Sequence, residues 1–444
     1  MIKYQNRKEV RAALAECLPA DTHFVLKPDE GKDDSDVFYL SGIRVPGASL
    51  AVFKGGQTSD YVLFVPQSSK IAAAWSNPVP PLSDLEASIK SEMPIFDIGV
   101  MPAFVQRHKG KLVEGKPEVL RNEIARFRMV KTPEESRAME SAAHVTYLAF
   151  DKLMRESWKG LTEASLASLW ELFMSKAADF DKFDDVETAF DTIVANGQHA
   201  RCMHYNPRGH GSSLRNAVIK TGNHFVIDAG ARINGYCCDV TRTVPAFVDK
   251  TQDGFFKALY NIVLNTQYQM TRIVKAGMTA GEIQAAMMEQ FVDGLMREGA
   301  LDTRTTSREA LIYSEELTRL AVHGWGHFIG IDCHDPFYYP DLSKKKAPDL
   351  SNHFRYLQNE TVIPEGAYIT IEPGLYPDES STILKEGYRS VGGIRTEGVF
   401  YVTSGGCQET TFQIPRDLNI IMEYRMIANL EKPKQEPAKT RRRK

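Results

Sequence analysis

Apolar and polar positions change period several times along this chain, and each change marks an element. Apolar residues recur at helical spacing over Arg7–Leu18. A strand-length run follows at His23–Lys27. The acidic group Asp33-Asp34-Ser35-Asp36 reads as a solvated loop with no role. Strand-like Val37–Leu40 comes next, then Ser49–Phe53 and Tyr61–Val65, the last two separated by Gly55-Gly56. Trp75 to Pro81 is turn-rich. Strand-length runs alternating with helical stretches predict a mixed sheet with helices over residues 1–130.

A boundary is expected at about Lys131. Thr132-Pro133-Glu134-Glu135 starts a helix: threonine caps it, proline suits the first helical position and Glu135 closes a capping box. Met139, Ala143, Tyr147, Phe150 and Met154 then form an apolar stripe at helical spacing, which predicts a core-facing helix. A weak internal repeat lies beyond. Lys159-Gly160-Leu161-Thr162 precedes a helical run with Leu166 and Trp170, and Ala276-Gly277-Met278-Thr279 precedes one with Ile283 and Met287. If the repeat is more than coincidence, two related α/β units face each other across a central site. Residues 340–366 read as a polar surface excursion, Tyr368–Glu372 and Ser390–Val402 as β segments. From about Glu431 a tail rich in Lys, Arg and Pro is expected to be disordered. Its Thr440-Arg441-Arg442-Arg443-Lys444 end reads as a solvated patch, with nuclear localisation as the alternative.

Between the repeats, two apolar runs, His224–Asp228 and one ending at Val240-Thr241-Arg242, flank Asn234-Gly235. Asn-Gly is a strong hairpin signal, because both central residues of a type I′ turn need positive φ. A two-residue turn sets Ile233 opposite Tyr236, Arg232 opposite Cys237 and Gly230 opposite Asp239. Asp228 then shares the face of Asp239, diagonally, roughly 7–8 Å away at the backbone. Two anions on one face persist most simply with a cation between them.

Composition adds limits. The chain has 444 residues, 43% hydrophobic and 25% charged, with a net charge of −3. That length suggests two or three domains with ample core. Nothing global points to nucleic acid or an anionic membrane. The first eight residues hold no apolar core and do not read as a signal peptide, and no run of about 18 apolar residues predicts a membrane span. Six cysteines without a C-x-x-C pair read as reduced thiols of an intracellular, cytoplasmic protein.

Three downstream stretches add candidate ligands. His323-Gly324-Trp325-Gly326-His327 through His334-Asp335 gathers three histidines among glycines. Ile369-Thr370-Ile371-Glu372-Pro373-Gly374 is an apolar strand ending in a glutamate, which is costly unless paired or liganded. In Gly392-Gly393-Ile394-Arg395-Thr396-Glu397, Arg395 and Glu397 share one strand face. With the hairpin these supply one imidazole and four carboxylates. Such a set suits two divalent metals, Mn²⁺ first, with Co²⁺, Fe²⁺ and Zn²⁺ as alternatives. Two ions about 3.5–4 Å apart can share a hydroxide and clamp a carbonyl during hydrolysis.

These stretches resemble the metal-binding motifs of the pita-bread metallopeptidases: methionine aminopeptidases, aminopeptidase P and prolidase. Asp34-Ser35-Asp36-Val37-Phe38-Tyr39-Leu40-Ser41-Gly42 also resembles the aminopeptidase P N-terminal domain. The resemblance implies an N-terminal mixed α/β domain over 1–130 and a pita-bread catalytic domain over 131–430, leaving the tail from 431 to 444. The catalytic domain would have pseudo-two-fold halves around a curved antiparallel sheet. By the same resemblance Asp228 binds one metal, His327 with Glu372 bind the other, and Asp239 and Glu397 bridge them. His204 takes the family's active-site histidine position, and His323 and His334 match its other pocket histidines. Arg395 matches an arginine of the proline-specific branch. The sequence departs from the pattern at Gly398, at Pro336-Phe337-Tyr338 and in a longer segment over Asn206 to Leu214, all of which bear on the pocket rim.

The function implied is hydrolysis of the bond between an N-terminal residue and a following proline by a metal-bridging hydroxide. Glu372 would be general base and proton shuttle, with His204 or His334 at the oxyanion and His323 and Arg395 shaping the proline pocket. Partners would be small peptides with proline second, and the assembly a homodimer. Prolidase, which cuts only Xaa-Pro dipeptides, is the near alternative. Methionine aminopeptidase does not need the first 130 residues or Arg395. A non-catalytic binding module and the metal-free creatinase chemistry would not need the intact ligand set.

Overall fold

Burial of the strand-length apolar runs dictates the N-terminal architecture. The structure, a computed structural model, describes residues 7–17, 22–28, 34–55, 58–69, 78–90, 92–107, 111–114, 118–156, 158–206, 208, 216–220, 222, 224–246, 254–302, 307–339 and 360–429. Residues 75–77 of the turn-rich stretch, 340–359 of the excursion, His210 and the tail lie outside the described residues. Helix α1 (Arg7–Cys17) precedes β1 (Thr22–Leu26). Strands β2 (Ser49–Gly55), β3 (Thr58–Val65), β4 (Ile95–Asp97) and β5 (Lys111–Glu114) join it in the order β4-β3-β2-β1-β5. Two of its pairings are parallel and two antiparallel, so the sheet is mixed, as expected.

Val37–Leu40 is not a strand. It lies in helix α2 (Ser35–Ser41), which Asp34 caps by accepting from the backbone N–H groups of Asp36 and Val37. Gly42 closes the helix at φ 81°. Four apolar residues in a row cannot distinguish a buried strand from a buried helix turn, and the Asx cap decides. The acidic group is not a solvated loop either. Asp34 and Asp36 are buried. Helix α3 (Glu118–Met129) supplies the compensating guanidinium groups of Arg121, which pairs with both, and Arg128, which pairs with Asp36. Burial, with the charge of Asp34, leaves the Asp36 carboxyl raised, although the two arginines pull against it.

Helix α4 (Pro133–Met154) starts with the expected capping box of Thr132 and Glu135. Its stripe residues Met139, Ala143, Phe150 and Met154 are buried in the core. The repeat takes physical form in the two helices that follow. Thr162 caps α5 (Glu163–Asp181) and Thr279 caps a later helix, Ala280–Arg297. The preceding Gly160 and Gly277 both have positive φ. Thr162 bridges Val218 as Thr279 bridges Val362. The flanking backbone bonds correspond too: Glu163 N–H to Ala217 O and Ala280 N–H to Thr361 O, 3.0 and 2.9 Å. Each unit therefore packs its capped helix against an equivalent strap.

The first unit holds β6 (Val186–Thr188), β7 (Ile193–Asn196), β8 (His224–Ala229), β9 (Ala231–Ile233), β10 (Tyr236–Cys237) and β11 (Val240–Pro245). The second holds α6 (Gly254–Ile273), α7 (Ala280–Arg297) and β12 (Tyr368–Ile371), β13 (Gly374–Leu375), β14 (Ile394–Arg395), β15 (Gly398–Thr403) and β16 (Gly406–Glu409). Ser390–Val402 is thus not one β segment: strand begins only at Ile394, breaks after Arg395, and β14 and β15 join different sheets. Sheets β11-β8-β7 and β12-β15-β16 meet where the Glu397 N–H donates to the Thr241 carbonyl at 3.0 Å. Helix α8 (Leu418–Asn429) returns to the first unit, where buried Arg425 stacks 3.7 Å from the centre of the Trp158 ring. No described helix is long and apolar enough to cross a membrane.

Candidate metal centre

The hairpin has the expected register. Asn234 and Gly235 take φ 51° and 82°, and Ile233 pairs with Tyr236 and Arg232 with Cys237. The same register continues beyond Gly230, with Ala229 opposite Val240 and Asp228 opposite Thr241. The ladder is nevertheless divided between two sheets. The division falls at Gly230, where a Cβ would stand 1.7 Å from the Cys238 carbonyl oxygen. Only glycine permits that approach. Asp239 follows this pinch, so its side chain is set by backbone contact.

The other candidates arrive by backbone hydrogen bonds from the second unit. The chain at His327 runs beside β12: Thr370 N–H donates to His327 O at 2.8 Å and Glu372 N–H to Trp325 O at 2.9 Å. Glu372 ends this strand. Glu397 lies between β14 and β15, and its Oε2 accepts from Thr241 Oγ1 at 2.8 Å. The structure therefore brings all five predicted ligands together, from residues up to 169 positions apart (397 − 228).

His327 Nε2 lies 3.6 Å from Asp239 Oδ2, 3.7 Å from Glu372 Oε1 and 3.9 Å from Glu397 Oε1. These are too long for hydrogen bonds. They approach the separation of two donors on one cation, roughly 3–3.5 Å for bonds of about 2.1 Å. Asp239 Oδ1 and Asp228 Oδ1 are buried and accept no hydrogen bond. A buried carboxylate oxygen without a donor is costly unless a cation fills the gap. Asp239, His327 and Glu397 present atoms mutually within 4.8 Å. The donor set thus fits divalent metal ions.

Electrostatics without metal point the same way. Burial, with the neighbouring carboxylates, pushes Asp228 up to about 8 against the pull of Arg395. Burial and the charges of Asp239 and Glu372 push Glu397 well up. Burial also acts on Asp239, but His327 and Cys333 beside it leave its carboxyl lowered. For His327, burial opposes protonation, yet pairing with Asp239 and the charge of Glu372 lift it to about 9. The metal-free cluster therefore neutralises itself with protons that a cation would replace.

The predicted pocket residues are placed unevenly. His334 stands on the rim with its ring 4.0 Å from that of His327. Partial desolvation against the pocket wall and the His327 charge push it down to about 4, so it is neutral at pH 7. The His204 side chain is exposed and lies near enough to act on the His334 imidazole. Its neighbour Met203 contacts Arg395 Nη1 at 3.8 Å. His323 Nδ1 lies 3.6 Å from Glu372 Oε2 and its Nε2 2.7 Å from Tyr376 Oη. Arg395 is buried and donates to Asp228 Oδ2 at 2.6 Å, Thr241 Oγ1 at 2.9 Å and Tyr376 Oη at 2.9 Å.

Several contributors carried no signal strong enough to find them. Tyr376 links His323 to Arg395 but follows Gly374-Leu375 as an ordinary aromatic. Cys333 donates its thiol to Asp239 Oδ2 at 2.9 Å. Below the rim, Arg128 donates to Asp335 at 2.6 Å and Asp332 at 2.7 Å while holding Asp36, and Lys131 pairs with Asp335 at 3.0 Å. This buried network ties α2 and α3 to the segment carrying His334. The discounted acidic group therefore supports the site from beneath.

Comparison with known proteins agrees with this geometry. The profile described as metallopeptidase family M24 matches residues 137–404. A protein named probable Xaa-Pro aminopeptidase pepP from Metarhizium robertsii is 29% identical over 314 residues, 67% of this chain and 63% of that protein. The chain thus spans less than two thirds of that relative's length. Its namesake from Pyrenophora tritici-repentis is 26% identical over 421 residues, 86% of this chain and 85% of that one. Proline aminopeptidase P II from Yersinia pestis superposes with TM-score 0.75 at 20% identity, covering 95% of this chain and 99% of that one. Aminopeptidase P from Escherichia coli with the inhibitor Pro-Leu gives TM-score 0.76 at 21% identity, covering 96% and 98%. At these identities the structural likeness speaks for the fold, the pita-bread arrangement of aminopeptidase P.

Proposed function

Because the chain belongs to metallopeptidase family M24, we propose that it removes the N-terminal residue from peptides whose second residue is proline, using two divalent metals, Mn²⁺ by preference. The observation that carries this reading is the convergence of Asp228, Asp239, His327, Glu372 and Glu397 on one buried point, with two carboxylate oxygens lacking any donor. Four carboxylates and one imidazole form an oxygen-rich set, which favours Mn²⁺ among the candidate ions. Bound there, the metals supply Lewis acidity toward the scissile carbonyl and lower the pKa of water.

The residues divide the remaining work. Asp228, Asp239, His327 and Glu397 hold the metals from the closed side of the site. Glu372 is the most exposed of the four carboxylates, its side chain at 17% against 11%, 7% and 3% for Asp228, Asp239 and Glu397. It can accept the proton of the attacking water at its open edge and return it to the departing proline nitrogen. His334, neutral on the rim, can donate to the developing oxyanion without bringing a second cation, and His204 faces the same space. His323 and Tyr376 wall the side toward Arg395. The Arg395 guanidinium is committed to three partners inside the protein. That leaves it unsuited to capture a substrate carboxylate, which favours longer peptides over Xaa-Pro dipeptides.

The test is an assay of chelated protein with Mn²⁺ restored, comparing an Xaa-Pro-Xaa tripeptide with the Xaa-Pro dipeptide. Tripeptide cleavage that depends on metal and disappears in Glu372→Ala is the expected result. Metal-replete protein that leaves the tripeptide intact refutes the reading, and cleavage of the dipeptide alone replaces it with prolidase activity.

A further inference from the structure

One side chain in the site is unexplained by an oxygen-rich centre. Cys333 places its Sγ 2.9 Å from Asp239 Oδ2. His334, next in sequence, is exposed. Asp239, Cys333 and His334 present one oxygen, one sulfur and one nitrogen mutually within 4.8 Å. Asp239 is 5% exposed, and its other oxygen accepts no hydrogen bond. The cluster thus combines a soft donor, a borderline donor and a buried, under-satisfied carboxylate, with an open side toward solvent.

We propose that Asp239, Cys333 and His334 form a thiol-bearing cation subsite, adjoining the carboxylate cluster, that takes a thiophilic divalent ion of the zinc or cadmium type. Three protein donors and one solvent-facing position match the tetrahedral preference of such ions. A thiolate disfavours Mn²⁺ and Mg²⁺, which prefer oxygen. On binding, the Cys333 S–H bond breaks, a sulfur–metal bond forms and the proton leaves to water at the rim. The subsite shares Asp239 with the carboxylate cluster. One carboxylate then serves two competing ions, so a thiophilic ion in excess draws Asp239 out of the arrangement that Mn²⁺ needs.

The experiment titrates Cd²⁺ into the chelated full-length chain and reads thiolate-to-cadmium charge-transfer absorbance. The wild-type protein should develop a saturating band that is absent in Cys333→Ser, the other five cysteines giving the same background in both. His334→Ala should keep the thiol but bind at least ~10-fold more weakly, since even loss of an outer-shell partner costs that much. Mn²⁺ loaded beforehand should shift the wild-type titration to higher Cd²⁺. A band of equal size in Cys333→Ser, no band in the wild type, or a titration indifferent to Mn²⁺ overturns the proposal. If Cys333→Ser does not fold, alkylation of the wild type followed by peptide mass spectrometry decides: Cd²⁺ must protect Cys333, and an unprotected Cys333 refutes the subsite. No readout here uses peptide hydrolysis, so a protein that shows the Cd²⁺ band and its Mn²⁺ shift but cleaves no tripeptide refutes the proposed activity and leaves the subsite standing.

Discussion

Loading metal into this site should expel protons, and their number follows from the cluster. At pH 7, His327 at about 9 and Asp228 at about 8 both hold a proton in the metal-free protein. Burial and the neighbouring carboxylates push Glu397 in the same direction. A cation requires all three in their basic forms. His327 and Asp228 set the expected release at pH 7 at about two protons per chain. The cost at pH 7 is two units for His327 and one for Asp228, together about 4 kcal/mol, or roughly 10³-fold in apparent affinity. Because these groups must be deprotonated, binding strengthens as pH rises and levels off above about 9. Calorimetric titration of the chelated protein in two buffers of different ionisation enthalpy counts the protons, and repeating it from pH 6 to 9.5 gives the affinity profile. Release of less than one proton at pH 7, or an affinity flat between pH 7 and 9, refutes the electrostatic reasoning.

Other consequences can be checked with single variants. Gly230→Ala drives a Cβ to 1.7 Å from the Cys238 carbonyl, so it should cost about 3 kcal/mol or more in denaturant unfolding and lower metal content; wild-type values of both would exclude the pinch as a positioning device. Arg128→Met leaves Asp36 and Asp335 buried with fewer cations, and an unfolding free energy lower by about 3 kcal/mol is expected, whereas a loss below about 1 kcal/mol would mean the network is dispensable. His224 is buried, stacked 4.6 Å from Phe256 and pushed by burial down to about 4. The unfolded chain takes up its proton near pH 6.5 and the folded one only near 4, so stability should fall through that window as pH drops, by up to about 3 kcal/mol. His224→Gln should flatten that part of the stability profile, and an unchanged slope would assign it to other groups.

How much of this was visible in advance differed by element. The helix starts at Thr132, Thr162 and Thr279 were legible because capping is a matter of a few adjacent residues. The mixed N-terminal sheet was legible from run length. Helix α2 was misread because its cap, Asp34, looked like part of a charged loop. Asp36 looked solvated because Arg128, its buried partner, is 92 residues away. Ser390–Val402 was read as continuous because its apolar residues do not reveal that β14 and β15 pair with different strands.

At the site, the amino-acid sequence by itself determined the register of Asp228 and Asp239. An Asn-Gly turn needs positive φ at both positions, and a strand's period of two then assigns every side chain to a face. It also marked Glu372 as costly at the end of an apolar strand, His327 as one of three histidines among glycines, and Glu397 as sharing a strand face with Arg395. Only the tertiary structure decided that these carboxylates share one point, that Tyr376 and Arg395 close one side, and that the Cys333 thiol leans on Asp239. The physical reason is range. Caps, turns and periodicity are set by neighbours along the chain. Burial of a charge, and the choice of its partner, depends on which distant segments pack together, and no local pattern records that.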